Sequence, residues 1–300
     1  MGTTATGKTD AAAYLSEQIS GEIISVDSSL VYRGMDIGTA KPDAAFLNQY
    51  PHHLVDVRSP DETFSVAEFY SQATVLIGQI AERGKIPILV GGTHFYFKAL
   101  QHGLSQLPPA DAALRAQITQ QAEQNGWPAM HQKLAGLDAK SATRIDVHDA
   151  QRIQRALEIV AQSGKSVAEH NVNRHPPISN PMLNIALAYS DRHYLHQRIE
   201  QRFHTMLEQG LQAELEGLLQ AGVDPQAASM KMIGYRQMLE FLRGESNYQQ
   251  MQDRGIAATR QLAKRQLTWL RNQSNIVWWV DFGLKQQDYT PLSRFVKFFL

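Results

Sequence analysis

The spacing of apolar positions changes several times along the chain, and each change marks an element. "KTDAAAYLSEQI" has helical spacing, and "EIISV", Glu22 to Val26, is a short β-rich run that stops at Asp27. "SVAEFYSQATVLIGQIAERG" is amphipathic with a helical period and stops at Gly84, a residue suited to the left-handed position after a helix. "IPILV", Ile86 to Val90, is unbroken apolar sequence, the pattern of a parallel strand buried on both faces. It runs into "GGT", after which helical spacing returns. This alternation predicts a doubly wound α/β sheet.

From about Pro109 to Arg174 the strand signals vanish. "DAALRAQITQQAEQNG", "WPAMHQKLAG" and "DAQRIQRALEIVAQSG" have helical period and end at glycine. "RHPPISNP" reads as a linker, and "MLNIALAY", Met182 to Tyr189, as a strand that resumes the sheet. Helices follow, from "DRHYLHQRIEQRFHTMLEQG" to a long segment ending near Arg271, and "NIVWWVD" reads as a last strand. The expected organisation is an α/β core of residues 1–108 and 176–300, with a helical insertion domain at 109–175.

Composition narrows the chemistry. The 29 basic and 29 acidic residues cancel, so any nucleic-acid surface must be a local patch. There are no cysteines, which excludes disulfides, thiolate metal sites and cysteine nucleophiles. No apolar run is long enough to span a bilayer and no signal peptide opens the chain, so a soluble cytoplasmic protein is expected.

The chain opens "MGTTATGKTD". From Gly2 it fits G-x-x-x-x-G-K-[ST], through Thr3, Thr4, Ala5, Thr6, Gly7, Lys8 and Thr9. Such a loop wraps a diphosphate in backbone N–H groups, adds a charge from Lys8, and sets the Thr9 hydroxyl on Mg²⁺. With the alternating pattern, this implies a phosphate-loop NTPase-like parallel-sheet core. Loops of this kind normally follow a buried strand, which the chain as given lacks. We therefore expect a gap or an unsupported edge beside the "EIISV" and "IPILV" strands, and a natural start upstream of Met1.

Asp27 ends a strand, where open α/β sheets place ligands, but an Asp before Ser28 is equally suited to cap a turn. "IPILV" ends in Gly91-Gly92-Thr93 with no metal-ordering acid, which suggests that phosphate is bound but not transferred. His193 and His196 lack a third ligand in register, and His52-His53 read as capping a following strand. In "RGIAATRQLAKRQLTWLR", Arg260, Lys264 and Arg271 fall within about 40° on a helix, with Leu262 and Trp269 opposite. A solvated helix face is the ordinary reading of such a segment, but with "QRIQR" there are two basic segments around one phosphate site, which together argue for a polyanionic partner more than either does alone.

Taken in order, "GTTATGKT", "SVDSSLVYRGMDIGTAKP", "ILVGGTHFYFKAL", "QRIQRALE", "RIEQRF", "KMIGYRQM" and "ATRQLAKRQLTWLR" resemble the bacterial tRNA dimethylallyltransferases, from Gly2 to about Trp279. The resemblance implies that the diphosphate is dimethylallyl diphosphate. The acceptor is then N6 of the adenine 3′ of the anticodon in tRNAs that read codons starting with U. It also implies an insertion domain that grips the anticodon stem-loop, and a channel that the flipped adenine and the allylic diphosphate enter from opposite mouths. Asp27 is implied as the base, with Thr4 and Arg202 on the leaving group and Mg²⁺ on Thr9. Thr93 and Arg115 match positions that touch tRNA at the channel. The tRNA-contacting segments implied are Asp27, Ser28, Ser29 and Leu30; then Gln151, Arg152, Ile153, Gln154 and Arg155. Two more follow: Lys231, Met232, Ile233, Gly234, Tyr235 and Arg236; and Lys264, Arg265, Gln266, Leu267, Thr268, Trp269, Leu270 and Arg271. A monomer is expected. The loop and fold alone also admit an ATP-dependent small-molecule or nucleoside kinase, and the basic segments alone a non-catalytic RNA-binding module.

Overall fold

The computed structural model describes residues 1–170, 174–281 and 288–300. The chain divides into two compact units, Met1–Ala99 with Ser179–Leu300, and Leu100–Ile178. In the first unit the glycine-rich loop leads into α1 (Lys8–Gln18) and β1 (Gly21–Ser25), followed by α2 (Ala44–Gln49), β2 (His52–His53), α3 (Val66–Glu82) and β3 (Ile86–Val90). The strands are parallel in the order β2-β1-β3, with Ile23 opposite both His52 and Ile88. His52 and His53, expected to cap a strand, are the strand; His53 Nε2 lies 3.0 Å from a Glu22 carboxylate oxygen on β1. α3 begins at a reciprocal cap between Ser65 and Glu68. It buries Phe69, Ala73, Ile77 and Ile80, the i, i+4, i+8, i+11 stripe that the periodicity implied.

The chain enters the second unit along α4 (His94–His102). That unit holds β4 (Leu104–Ser105), α5 (Ala112–Asn125), α6 (Trp127–Leu137), α7 (Ala139–Ala142), α8 (Ala150–Ser163), α9 (Val167–His170) and β5 (Arg174–His175). Three helices start at an aspartate whose carboxylate accepts a first-turn N–H: Asp111 for α5, Asp138 for α7 and Asp149 for α8. Asp138 also ends α6, which therefore runs through Gly136 instead of stopping there. The "RHPPISNP" segment is not linker from its start, because Arg174–His175 pairs antiparallel with Leu104–Ser105. Ile118, Met130, Leu134, Ile153 and Leu157 form the core of this unit. Ile153, expected at the tRNA, is fully buried there, so its side chain packs the helices together.

Back in the first unit, β6 (Ile185–Leu187) precedes α10 (Arg192–Glu208), α11 (Leu211–Gln220), α12 (Tyr235–Leu242), α13 (Tyr248–Arg271), β7 (Trp278–Val280) and α14 (Thr290–Phe299). β6 and β7 pair in parallel, and Gly2 bridges to Leu187 in the same sense. The Met1 amine donates to the Ile185 carbonyl at 2.8 Å, and Leu187 N–H to that of Met1 at 2.8 Å. Among the described residues β3 is paired only along its β1 edge, and all five of its residues are half-buried. The expected full burial does not hold there, because the second edge of β3 has no ladder partner among the described residues. No helix among the described residues is long and apolar enough to cross a membrane.

α10 to α13 pack with the segment after β1 around Val31, Tyr32, Met35, Phe203, Leu211, Leu215, Tyr235 and Met251. Glu214 fastens that segment. Its carboxylate accepts the N–H groups of Asp36, Ile37 and Gly38 at 2.7–3.1 Å, and the Tyr235 hydroxyl at 2.6 Å. Burial, reinforced by the Glu214 carboxylate, pushes the Tyr235 hydroxyl far above its usual range. Tyr235 and Leu270 were both expected to touch tRNA, but both are fully buried and serve the core. Replacing Glu214 by alanine strands three loop N–H groups and one hydroxyl. It should cost about 2–3 kcal/mol in urea unfolding, against about 1 kcal/mol for Tyr235→Phe. Equal losses for the two variants would show that the loop N–H groups do not depend on Glu214.

Candidate active site

The glycine-rich loop is built inward. Thr3 and Thr6 are buried, and the Thr6 hydroxyl donates to the Thr3 carbonyl at 2.8 Å. Ala5 and Gly7 hold left-handed backbone at φ 62° and 75°, and α1 starts directly after Gly7. The first N–H groups of a helix have no partner within it, so an anion fits there. The Lys8 ammonium folds back to donate to the Thr3 carbonyl. Burial lowers its pKa to about 8, against the pull of the Asp27 carboxylate, with Arg202 adding to the lowering.

One arginine beside the loop escaped the sequence reading. Arg198 Nε donates to the Ala5 carbonyl at 3.0 Å, and its guanidinium lies over the rings of Tyr189 and Tyr194 at 5.6 and 5.9 Å. It holds the one loop residue that takes a left-handed conformation without being glycine. The i, i+4 spacing of Arg198 and Arg202 in "RIEQR" is the signal that could have found it.

Asp27 lies just beyond β1, next to the turn after β3. Val26 donates to the Val90 carbonyl at 2.7 Å, and its own carbonyl accepts Thr93 N–H at 3.1 Å. Gly91 permits this approach, since a Cβ there would lie 2.0 Å from the Val26 carbonyl oxygen. Thr93 Oγ1 accepts Ser28 N–H at 3.0 Å. Asp27 Oδ1 accepts the N–H of Ser29 at 2.9 Å and its hydroxyl at 2.5 Å. Asp27 therefore does cap a turn, through Ser29, while Oδ2 makes no hydrogen bond among the described residues and the residue lines a cavity.

That cavity has a volume of about 650 Å³. Its lining includes the polar Thr4, Lys8, Thr9, Asp27 and Arg202 and the apolar Phe203, Met206, Leu262 and Trp269. Burial lowers the Arg202 pKa, Asp27 opposes that shift, and Arg198 adds to it. The Arg202 guanidinium also donates to the Thr39 carbonyl at 3.4 Å. His94 stacks on Trp269 at 4.4 Å and 11°, and burial, with the positive amino terminus and Lys8, lowers its pKa to about 4. The imidazole is therefore neutral at pH 7. Thr9 offers a hard hydroxyl oxygen, and no group of three His, Asp or Glu side chains could hold an ion among the described residues. That donor set suits a Mg²⁺ carried mainly by substrate phosphate oxygens and water.

The other expected contacts divide by place. Ser28, Ser29, Leu30, Thr93, Met232, Ile233, Gly234, Arg265 and Trp269 line the cavity. Lys264 and Thr268 line a smaller surface hollow beside it, while Lys231, Arg236 and Arg271 are exposed. Gln266 lines the cavity but is 8% exposed, with both amide ends bound to protein, so its side chain serves the loop and the turn after β3 directly. Arg260, counted with the basic face, is paired to Glu200 at 2.7 Å. In the second unit, Gln151 and Arg152 are exposed, and Gln154 donates to Thr119 Oγ1 at 2.7 Å. Arg115 and Arg155 converge on Glu158, which is fully buried. Burial pushes the Glu158 pKa up, but hydrogen bonds from Arg155, Asp111 N–H and Arg115 outweigh it and hold the carboxyl below its usual range. The i, i+3 spacing of Arg155 and Glu158 in "QRIQRALE" is the signal that could have found Glu158.

A phosphate loop opening into a cavity that also holds a carboxylate and apolar side chains suits a transferase that binds a diphosphate. The profile of the IPP transferase family matches residues 30–273, and the chain belongs to that family. The tRNA dimethylallyltransferases of Azoarcus sp. and Aromatoleum aromaticum are each 55% identical to it over 273 residues, covering 90% of this chain and 85% of each relative. The tRNA isopentenylpyrophosphate transferase of Bacillus halodurans aligns with a TM-score of 0.72 at 37% identity, over 99% of this chain and 93% of that one. A eukaryotic dimethylallyltransferase acting on tRNA aligns with a TM-score of 0.79 at 27% identity, over 98% of this chain and 76% of that one. The kinase alternative finds no support among these relatives.

The lowered Lys8 pKa sets a pH limit. The ammonium is charged below about 8 and neutral above, and a bound anion favours the charged form. The ratio of pyrophosphate affinities, wild type over Lys8→Ala, should be flat below that pH. Above it the ratio should fall by up to about tenfold per pH unit. Calorimetric titrations from below to above neutrality check this, and a ratio constant throughout would move the anion away from Lys8.

Proposed function

We propose that this chain transfers the dimethylallyl group of dimethylallyl diphosphate to N6 of the adenine 3′ of the anticodon, in tRNAs reading codons that start with U, and releases diphosphate. We read it as a monomeric cytoplasmic enzyme. The observation that carries the proposal is the single cavity in which Lys8, Thr9 and Arg202 share a wall with Asp27 and an apolar surface. The relatives speak against a kinase, and a pure RNA-binding module has no use for the loop.

In this reading the diphosphate lies against the loop N–H groups, Lys8 and Arg202. The hydroxyl of Thr4 adds a contact; its N–H is already bound to Gln266. Mg²⁺ on Thr9, when bound, neutralises part of the leaving group's charge. The branched hydrocarbon packs on Phe203, Met206 and Leu262. Adenine N6 is a poor nucleophile because its lone pair is delocalised into the ring. The C–N bond forms as the allylic C–O bond breaks, the electron pair leaves with diphosphate, and the N6 proton passes to Asp27 Oδ2. Arg115, Arg152 and Arg155 in the second unit, with Lys264 and Arg265 on α13, hold the anticodon stem-loop.

The direct test is the mass of tRNA after incubation with dimethylallyl diphosphate and, separately, with ATP. Added mass of one dimethylallyl group only in the first reaction supports the proposal, and modification only with ATP overturns it. Asp27→Asn should keep tRNA affinity and lose about 10²–10⁴-fold in turnover. Turnover within a few-fold of wild type would leave Asp27 as a cap. Lys264→Ala and Arg265→Ala should each reduce the log–log salt slope of tRNA binding by roughly 0.7–0.9. An unchanged slope would place α13 away from the RNA.

A further inference from the structure

Gln266 bonds at both ends of its amide over long sequence distances. Oε1 accepts Thr4 N–H at 2.8 Å, and Nε2 donates to the Gly92 carbonyl at 3.0 Å. The orientation is fixed by its partners, since an N–H can only donate and a carbonyl only accept. One turn further along α13, Trp269 stacks on His94. α13 thus grips the chain on both sides of Thr93, whose hydroxyl oxygen accepts Ser28 N–H beside Asp27. The same helix exposes Lys264 and Arg265 to solvent. Three places meet on it: the loop at the leaving group, the turn behind the base, and a cationic surface.

We propose that Gln266 is a positioning residue that couples the two substrates, so that RNA docked on the Lys264–Arg265 surface of α13 tightens the hold of the loop on diphosphate. The inference rests on the tRNA prenyl transfer reading. Thr4 carries its hydroxyl in the cavity wall, and Gln266 fixes the backbone that aims it. Anything that fixes α13 fixes Thr4, and by linkage a filled diphosphate site favours the docked helix by the same factor. Glutamine is the side chain that can serve both partners. Leucine serves neither. Glutamate keeps the acceptor for Thr4 N–H but sets a carboxylate against the Gly92 carbonyl.

The test is calorimetric titration of inorganic pyrophosphate with Mg²⁺, with and without a saturating anticodon stem-loop hairpin. In the wild type the hairpin should tighten pyrophosphate by about fivefold or more. In Gln266→Leu that factor should fall below about twofold, while hairpin affinity alone stays within about threefold of wild type because Lys264 and Arg265 keep their charges. Gln266→Glu, nearly the same size, should also lose most of the factor, and it carries the measurement if the leucine variant does not fold. A wild-type factor near one, or an undiminished factor in the variants, overturns the coupling and leaves the prenyl transfer reading standing. A wild-type protein that binds no pyrophosphate overturns that reading as well.

Discussion

The site depends on placing two desolvated cations, Lys8 and Arg202, around a single carboxylate, Asp27. Burial weakens both cations, and the Asp27 charge acts against that weakening in each. One carboxylate cannot neutralise two cations, so these three groups carry a net positive charge that a multiply charged anion would offset. The rest of the first unit keeps these three charges in place. β1 and the turn after β3 hold Asp27, α1 carries Lys8, and α10 carries Arg202. Gln266 and Arg198 set the loop from α13 and α10.

The apolar wall gives that arrangement its chemical direction. Phe203 and Met206 lie on the same helix as Arg202, so α10 presents charge and hydrocarbon to one cavity within about a turn. A ligand with an anionic head and a short branched tail fits both together. Low polarity near the tail also strengthens each electrostatic contact at the head.

Much of the α/β part was legible. The helix after the loop, the strands at Glu22 and Ile86 and the long amphipathic α3 all appear within a few residues of their expected ends. Period and punctuation agree in those segments. β2, β4 and β5 were not legible, because a two-residue strand has no period to read. The long-range ties were hidden for a different reason. Glu214 on the Asp36–Gly38 N–H groups, Glu158 on Arg115 and Gln266 on Thr4 each act across at least forty residues of chain, whereas the Arg155–Glu158 pair, three apart on one helix, is open to reading from the sequence. Basic runs stand out in the sequence, but the counter-charges that meet them in the fold do not. Arg260 on Glu200, and Arg115 and Arg155 on Glu158, have partners that charge counting alone leaves out.

The buried glutamate of the helical unit changes what its arginines offer. Arg115 spends Nε and one terminal nitrogen on Glu158, and Arg155 divides its two between Glu158 and the Pro108 carbonyl. Their planes are therefore set in advance, and a phosphate that meets them meets little remaining rotamer freedom. The price is charge, because the pair shares a full negative unit and Arg152 has Asp149 beside it at 2.8 Å. On the proposed tRNA reading, such a surface would recognise by the fixed direction of its N–H groups more than by its field, and would discriminate among shapes of a folded polyanion while attracting polyanions in general only weakly.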